Sequence, residues 1–115
     1  MATTPHVELL QGTLELLILK TLSLGSRHGS SLVRWLEETT DGALVVEEGS
    51  LYPALHRMEK KAWLTSEWGV SEHNRRVRFY SLTPEGREQL LAQMEEFRRL
   101  VRLVTRVLAR SDAPL

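Results

Sequence analysis

The chain has 115 residues, with 15 basic and 15 acidic side chains, a formal net charge of zero and no cysteine. That length suits one domain with at most an appended helix, and the missing cysteines exclude disulfides, iron–sulfur clusters and thiolate zinc sites, as expected of a cytosolic protein. No apolar run is long enough to span a bilayer, and the N-terminus lacks the charged-then-apolar pattern of a secretory signal, so no membrane association is expected.

Residues 1–8 are polar, include Pro5 and are expected to be loose. A first helix is expected over about 9–24. Leu10, Leu14, Leu17, Ile18, Thr21 and Leu22 form its buried stripe, and Leu9, Leu16 and Leu24 widen it. The Gly25-Ser26-Arg27-His28-Gly29 break follows. A second helix opens at Ser30 or Ser31 and runs to about Glu38, with Leu32, Trp35 and Leu36 on its apolar side. Thr39-Thr40-Asp41-Gly42 ends it as a turn, and residues 43–46 read as a short strand.

The central stretch is a short helix over about 50–61. Ser50 or Gly49 is the expected cap, with Pro53 in the first turn. Leu51, Leu55, Met58 and Ala62 recur at helical spacing and are expected to be buried. The opposite face carries Pro53, His56, Arg57 and Lys60. Its small first turn could approach base edges, and its later basic turn could reach phosphate. Residues 63–68 and 76–82 alternate like strands, and the polar loop 69–75 between them turns the chain into a hairpin. Arg75, Arg76 and Arg78 lie at or near its tip. A basic hairpin beside such a helix is a winged helix-turn-helix arrangement. The charge distribution agrees. Residues 37–48 hold five acids and no base, whereas residues 49–83 hold six bases against three acids.

Thr83-Pro84-Glu85 is a strong start for a last helix reaching about 109. Leu90, Met94, Phe97, Val101, Val104 and Leu108 repeat at four, three, four, three, four, which is a heptad seam. A helix of about 35 Å outruns a small domain, so a homodimer joined through this helix is expected. Residues 111–115 are expected to be a frayed tail. The fold read from these signals is mainly α with a small β-hairpin wing: a winged helix-turn-helix over 9–83 followed by a dimerisation helix over 84–110.

The three tryptophans, Trp35, Trp63 and Trp68, read as packing residues. The four histidines have no metal-ligand spacing, and no nucleophile, base and carboxylate arrangement suggests an enzyme or a cofactor.

Several runs resemble the PadR family of bacterial transcriptional regulators, in its short branch with a single terminal helix. They are Gly12-Thr13-Leu14-Glu15-Leu16-Leu17, His28-Gly29, Glu48-Gly49-Ser50-Leu51-Tyr52-Pro53-Ala54-Leu55-His56-Arg57-Met58-Glu59, Ser66-Glu67-Trp68, Asn74-Arg75-Arg76-Val77-Arg78-Phe79-Tyr80 and Leu82-Thr83-Pro84-Glu85-Gly86-Arg87. The resemblance implies a homodimer that binds a palindromic operator on double-stranded DNA and represses transcription. It implies that Ser50, Tyr52, Pro53, His56 and Arg57 lie on or beside the DNA-facing helix, with Arg75, Arg76 and Arg78 as wing contacts. It also allows a small-molecule effector at the dimer interface. One departure stands out. The family commonly places an aromatic after His-Gly, where this chain has Ser30-Ser31, so any backbone contact there falls to hydroxyls at a helix N-terminus. The competing reading is a winged-helix module that holds a protein partner on the same surface.

Overall fold

The computed structural model describes residues 9–112, so the expectations for residues 1–8 and for the end of the tail lie outside the described residues. Four helices and a three-stranded antiparallel sheet follow in the order α1 (Gln11–Ser23), β1 (Arg27–His28), α2 (Gly29–Thr39), α3 (Glu48–Lys60), β2 (Leu64–Val70), β3 (Arg76–Leu82) and α4 (Pro84–Leu108). This is the mainly α fold with a hairpin wing that the patterning implies.

The core gathers Leu14, Ile18, Leu19 and Leu22 of α1 with Leu32 and Leu36 of α2. Leu51, Ala54, Leu55 and Met58 of α3 complete it with Leu64, Tyr80 and Leu90. On α1 the buried set differs from the expected stripe: Leu10 and Leu24 are exposed, while Glu15 and Leu19 are buried. The apolar residues of α1 nearly encircle it, so spacing alone could not select the inner side.

The sheet order is β1-β3-β2. Its third strand is therefore the two-residue β1, with Arg27 opposite Tyr80 and His28 opposite Phe79. It is not the stretch 43–46. That segment is an extended link whose Val46 enters the core and whose Leu44 amide donates to Thr40 Oγ1 at 3.0 Å. Val46 alone of these side chains is buried and Val45 is exposed, so strand propensity here leads to no pairing.

α3 begins two residues before the expected start. Glu47 is its cap, through its backbone carbonyl, which accepts from the amides of Ser50 and Leu51 at 3.0 Å. Neither Ser50 nor Gly49 caps the helix, and Pro53 falls in its second turn, on an exposed side. The buried face is Leu51, Ala54, Leu55 and Met58. Ala62 is not on it. The Ala62 amide donates to Glu59 and that of Trp63 to Met58, both at 3.0 Å, closing a Schellman turn with Ala62 at φ 62°.

α2 starts at Gly29, earlier than expected. Trp35 and Trp63 are half-buried against the core, as packing residues should be. Trp68 is exposed. At the start of α4, Thr83 Oγ1 accepts from the Gly86 amide at 3.0 Å and donates to the Ala62 carbonyl at 2.6 Å. Thr83 thus joins the end of the wing to the turn after α3. Gly86 is required there, because a Cβ would collide with the Trp63 carbonyl oxygen.

Candidate nucleic-acid interface

The open edge of α3 carries Ser50, Tyr52, Pro53, His56 and Lys60, all exposed. The burial of Leu51, Ala54, Leu55 and Met58 on the other side forces this division. Tyr52 leans back toward α2, where its hydroxyl would lie 2.5 Å from a Cβ added at Gly29. The first turns of α2 and α3 are thereby brought together, with Ser30 exposed beside them. Ser31 plays a different part from the one expected. Its hydroxyl accepts from the His28 amide at 3.1 Å and donates to the His28 carbonyl at 2.9 Å, so it closes the start of α2.

Arg57 is only 38 % exposed, and its Nε lies 3.7 Å from Oε1 of Glu15, whose side chain is 9 % exposed. Charge in so dry a place needs its opposite. Arg57 therefore ties α3 to α1, besides presenting part of its guanidinium near the open edge. Among the expected cations of α3, Lys60 is exposed and Arg57 is partly buried.

On the wing, paired residues share a sheet face. Trp68 pairs with Arg78 and Val70 with Arg76. The Arg76 and Arg78 guanidinium carbons lie 4.5 and 5.4 Å from the Trp68 ring centroid. Arg78 Nε also donates to Ser66 Oγ at 2.7 Å, and Ser66 donates to Glu59 Oε2 of α3 at 2.7 Å. A second ion pair, 3.9 Å between Arg78 and Glu59, reinforces the link. Arg75 is exposed in the turn, where Asn74 adopts a left-handed φ of 58°. The turn also carries Glu72, 3.4 Å from Arg34 of α2, with His28 Nε2 at 3.9 Å and His73 Nε2 at 3.8 Å. A backbone hydrogen bond, followed by that from Arg34, lowers the Glu72 carboxyl below its ordinary pKa.

The structure thus brings together Ser50, Tyr52, Pro53, His56 and Lys60 on one helix edge, and Arg76 with Arg78 on one wing face. Roles that sequence reading missed belong to Glu59, Ser66 and Trp68, which hold Arg78 or Arg76, to Glu15, which pairs with Arg57, and to Arg34 and Glu72, which tie α2 to the wing turn. The hairpin alternation carried a usable signal for one of these, since it sets Trp68 across from Arg78. The heptad seam divides. Leu90 is buried in the chain's own core and Met94 packs against it, while Phe97, Val101, Val104 and Leu108 are exposed with Leu100, Leu103 and Val107.

Residues 18–92 match the model of the transcriptional regulator PadR-like family. A transcriptional regulator from Clostridium thermocellum superposes with a TM-score of 0.76 at 29 % identity, over 87 % of this chain and 96 % of that one. A PadR family transcriptional regulator from Eggerthella lenta gives 0.74 at 29 % identity, over 88 % and 86 %. A PadR-like transcription factor from Bacteroides fragilis gives 0.70 at 29 % identity, over 84 % and 91 %. These relatives are regulators of transcription rather than enzymes. With its winged helix fold, its open α3 edge and its basic wing, the chain belongs to the PadR-like family of DNA-binding transcriptional regulators.

Proposed function

We propose that the protein is a repressor that binds a palindromic operator as a homodimer in the cytoplasm, placing one α3 in each of two successive major grooves. The observation that carries this reading is the apolar row left open on the far half of α4, from Phe97 to Leu108. Exposed apolar rows of this length mark an association surface. A second copy covers the row, and the twofold relation between copies asks for two like half-sites. Within each half-site, Ser50, Tyr52, Pro53, His56 and Lys60 face the groove, with Ser30 beside them. Arg75, Arg76 and Arg78 face phosphate. Repression follows from occupancy, since a dimer seated across a promoter excludes the polymerase.

The effector that the resemblance allows has its place between the two copies, beside Phe97. Protection mapping on the DNA immediately upstream of the coding region tests the reading. Two protected half-sites about 34 Å apart, centre to centre, are expected. A single protected half-site, or none, contradicts it.

A further inference from the structure

Trp68 stands on the wing with 56 % of its surface open, next to Val70 at 62 %. A large aromatic residue left this exposed asks for a use. Its ring is shared by two guanidinium groups, those of Arg76 and Arg78. Two like charges gathered on one indole repel each other, although the strand register sets both on the face of Trp68 and Glu59 offsets part of the Arg78 charge. The ring nevertheless gives each a flat seat, which limits the rotamers that a free arginine samples in water. Arg78 is fixed a second time, from below, by the Ser66 hydroxyl.

The wing tip is built differently. Glu72 is its acid, and Arg34 of α2 holds that carboxylate. The tip adds exposed Arg75, while the strand face that carries Ser66 and Trp68 gathers Arg76 and Arg78 together. Through Ser66 and Glu59 this face is joined to the last turns of α3. That link holds this wing face beside the helix proposed to enter the major groove.

From this we infer that Trp68 is a DNA-contacting and positioning residue: its ring orients Arg76 and Arg78 toward the phosphate backbone, and its indole N–H donates to the same strand. The inference rests on the DNA-binding reading above and deepens it, because it assigns part of the wing contact to a strand face organised by Trp68, beside that of Arg75 at the tip. The alternative is that Trp68 serves only to stabilise the hairpin.

Acrylamide quenching of a Trp35→Phe/Trp63→Phe variant, in which Trp68 is the sole indole, separates these roles. It is measured with and without a saturating duplex of the upstream DNA. A fall of about twofold in the quenching constant is expected on binding. Beside it, Trp68→Ala and Trp68→Phe are made in the otherwise unaltered chain. Trp68→Ala is expected to weaken binding about tenfold, because two arginine side chains no longer held by the ring must then be ordered on binding. It should also flatten the salt slope by about one, although it removes no charge. Trp68→Phe, which keeps a ring under the guanidinium groups, should restore most of both.

Unchanged quenching in the saturated complex overturns the inference. So does a Trp68→Ala protein with the salt slope of the unaltered chain, including one whose affinity falls only in step with its melting temperature. Should the double Phe variant fail to fold, the salt slopes decide. A flat salt dependence in the unaltered chain itself would instead remove the DNA-binding reading, and this inference with it.

Discussion

Tyr52 and Gly29 approach so closely that the Tyr52 hydroxyl would stand 2.5 Å from a Cβ added at Gly29. The contact joins the beginning of α2 to the open edge of α3. It makes the glycine a requirement of the reading surface rather than of the core. Tyr52 is 40 % exposed, so its ring has room to swing outward. Gly29→Ala is accordingly expected to change the unfolding free energy by no more than about 1 kcal/mol, while operator affinity falls about tenfold as Tyr52 leaves its place. Gly86→Ala is the contrast. Its Cβ meets the Trp63 backbone, which cannot step aside, so a loss of about 3 kcal/mol is expected. Urea unfolding and fluorescence anisotropy on the two variants check the pair.

Arg57 gives a second expectation, because it is the ion-pair partner of a buried carboxylate. Removing it leaves the buried Glu15 carboxylate without its partner. Such losses run to about 3–5 kcal/mol for a fully buried pair, and the partial exposure of Arg57 reduces this to about 2 kcal/mol. Arg57→Ala should therefore destabilise by about that amount, and adding Glu15→Gln should recover most of it. Lys60→Ala, on the exposed edge, should change stability by less than about 0.5 kcal/mol. A double-mutant cycle in urea measures all three, and additivity of Arg57→Ala with Glu15→Gln would contradict the coupling.

The clasp between wing and α2 has a pH signature. The Glu72 carboxyl is lowered, first by a backbone N–H and then by Arg34. A lowered folded value means that the clasp is fully present above the ordinary carboxylate range. It is lost only as the pH falls through that lowered value. An NMR titration of the Glu72 side chain should show its midpoint below that of an ordinary glutamate. Arg34→Ala should move it part of the way back, since the backbone bond remains.

These cases mark where the sequence was legible. The buried face of α3 followed from spacing, and the start of α4 followed from Thr83 and Pro84, because both are local signals. The start of α3 did not, since Glu47 caps it through a backbone carbonyl that any residue possesses. Ala62 fell outside the helix because the chain adopts a left-handed turn where glycine is the usual choice. The third strand was misplaced because two residues, Arg27 and His28, carry no periodicity, while residues 43–46 carry strand-forming side chains in a link that pairs with no strand. The positions of Pro53, His56 and Lys60 were readable from the helix alone, whereas Ser50 and Tyr52 were placed on that side only through the family resemblance. The ion pairs that hold Arg57 and Glu72 were not readable, because they join residues 42 and 38 apart in the chain.

The open row on α4 predicts the assembly state. Phe97→Glu or Val101→Glu places a carboxylate within the apolar row, and each should give folded monomers with operator affinity reduced at least about a hundredfold. Leu90→Glu should behave differently, because Leu90 lies in the core of its own chain. It should unfold the protein rather than dissociate it. Sedimentation velocity with circular dichroism separates the two outcomes, and tight operator binding by a folded monomer would contradict the dimer.

The most direct test is the salt dependence of binding to the upstream DNA. Each phosphate neutralised contributes about 0.9 to the fall of log K with log salt. For the unaltered protein a slope of several is expected. Arg76→Ala should lower it by about one, and Arg78→Ala by less, because Glu59 already offsets part of the Arg78 charge. A slope near zero, or one that Arg76→Ala leaves unchanged, would contradict a wing and helix built to grip DNA and would favour a protein partner on the same surface.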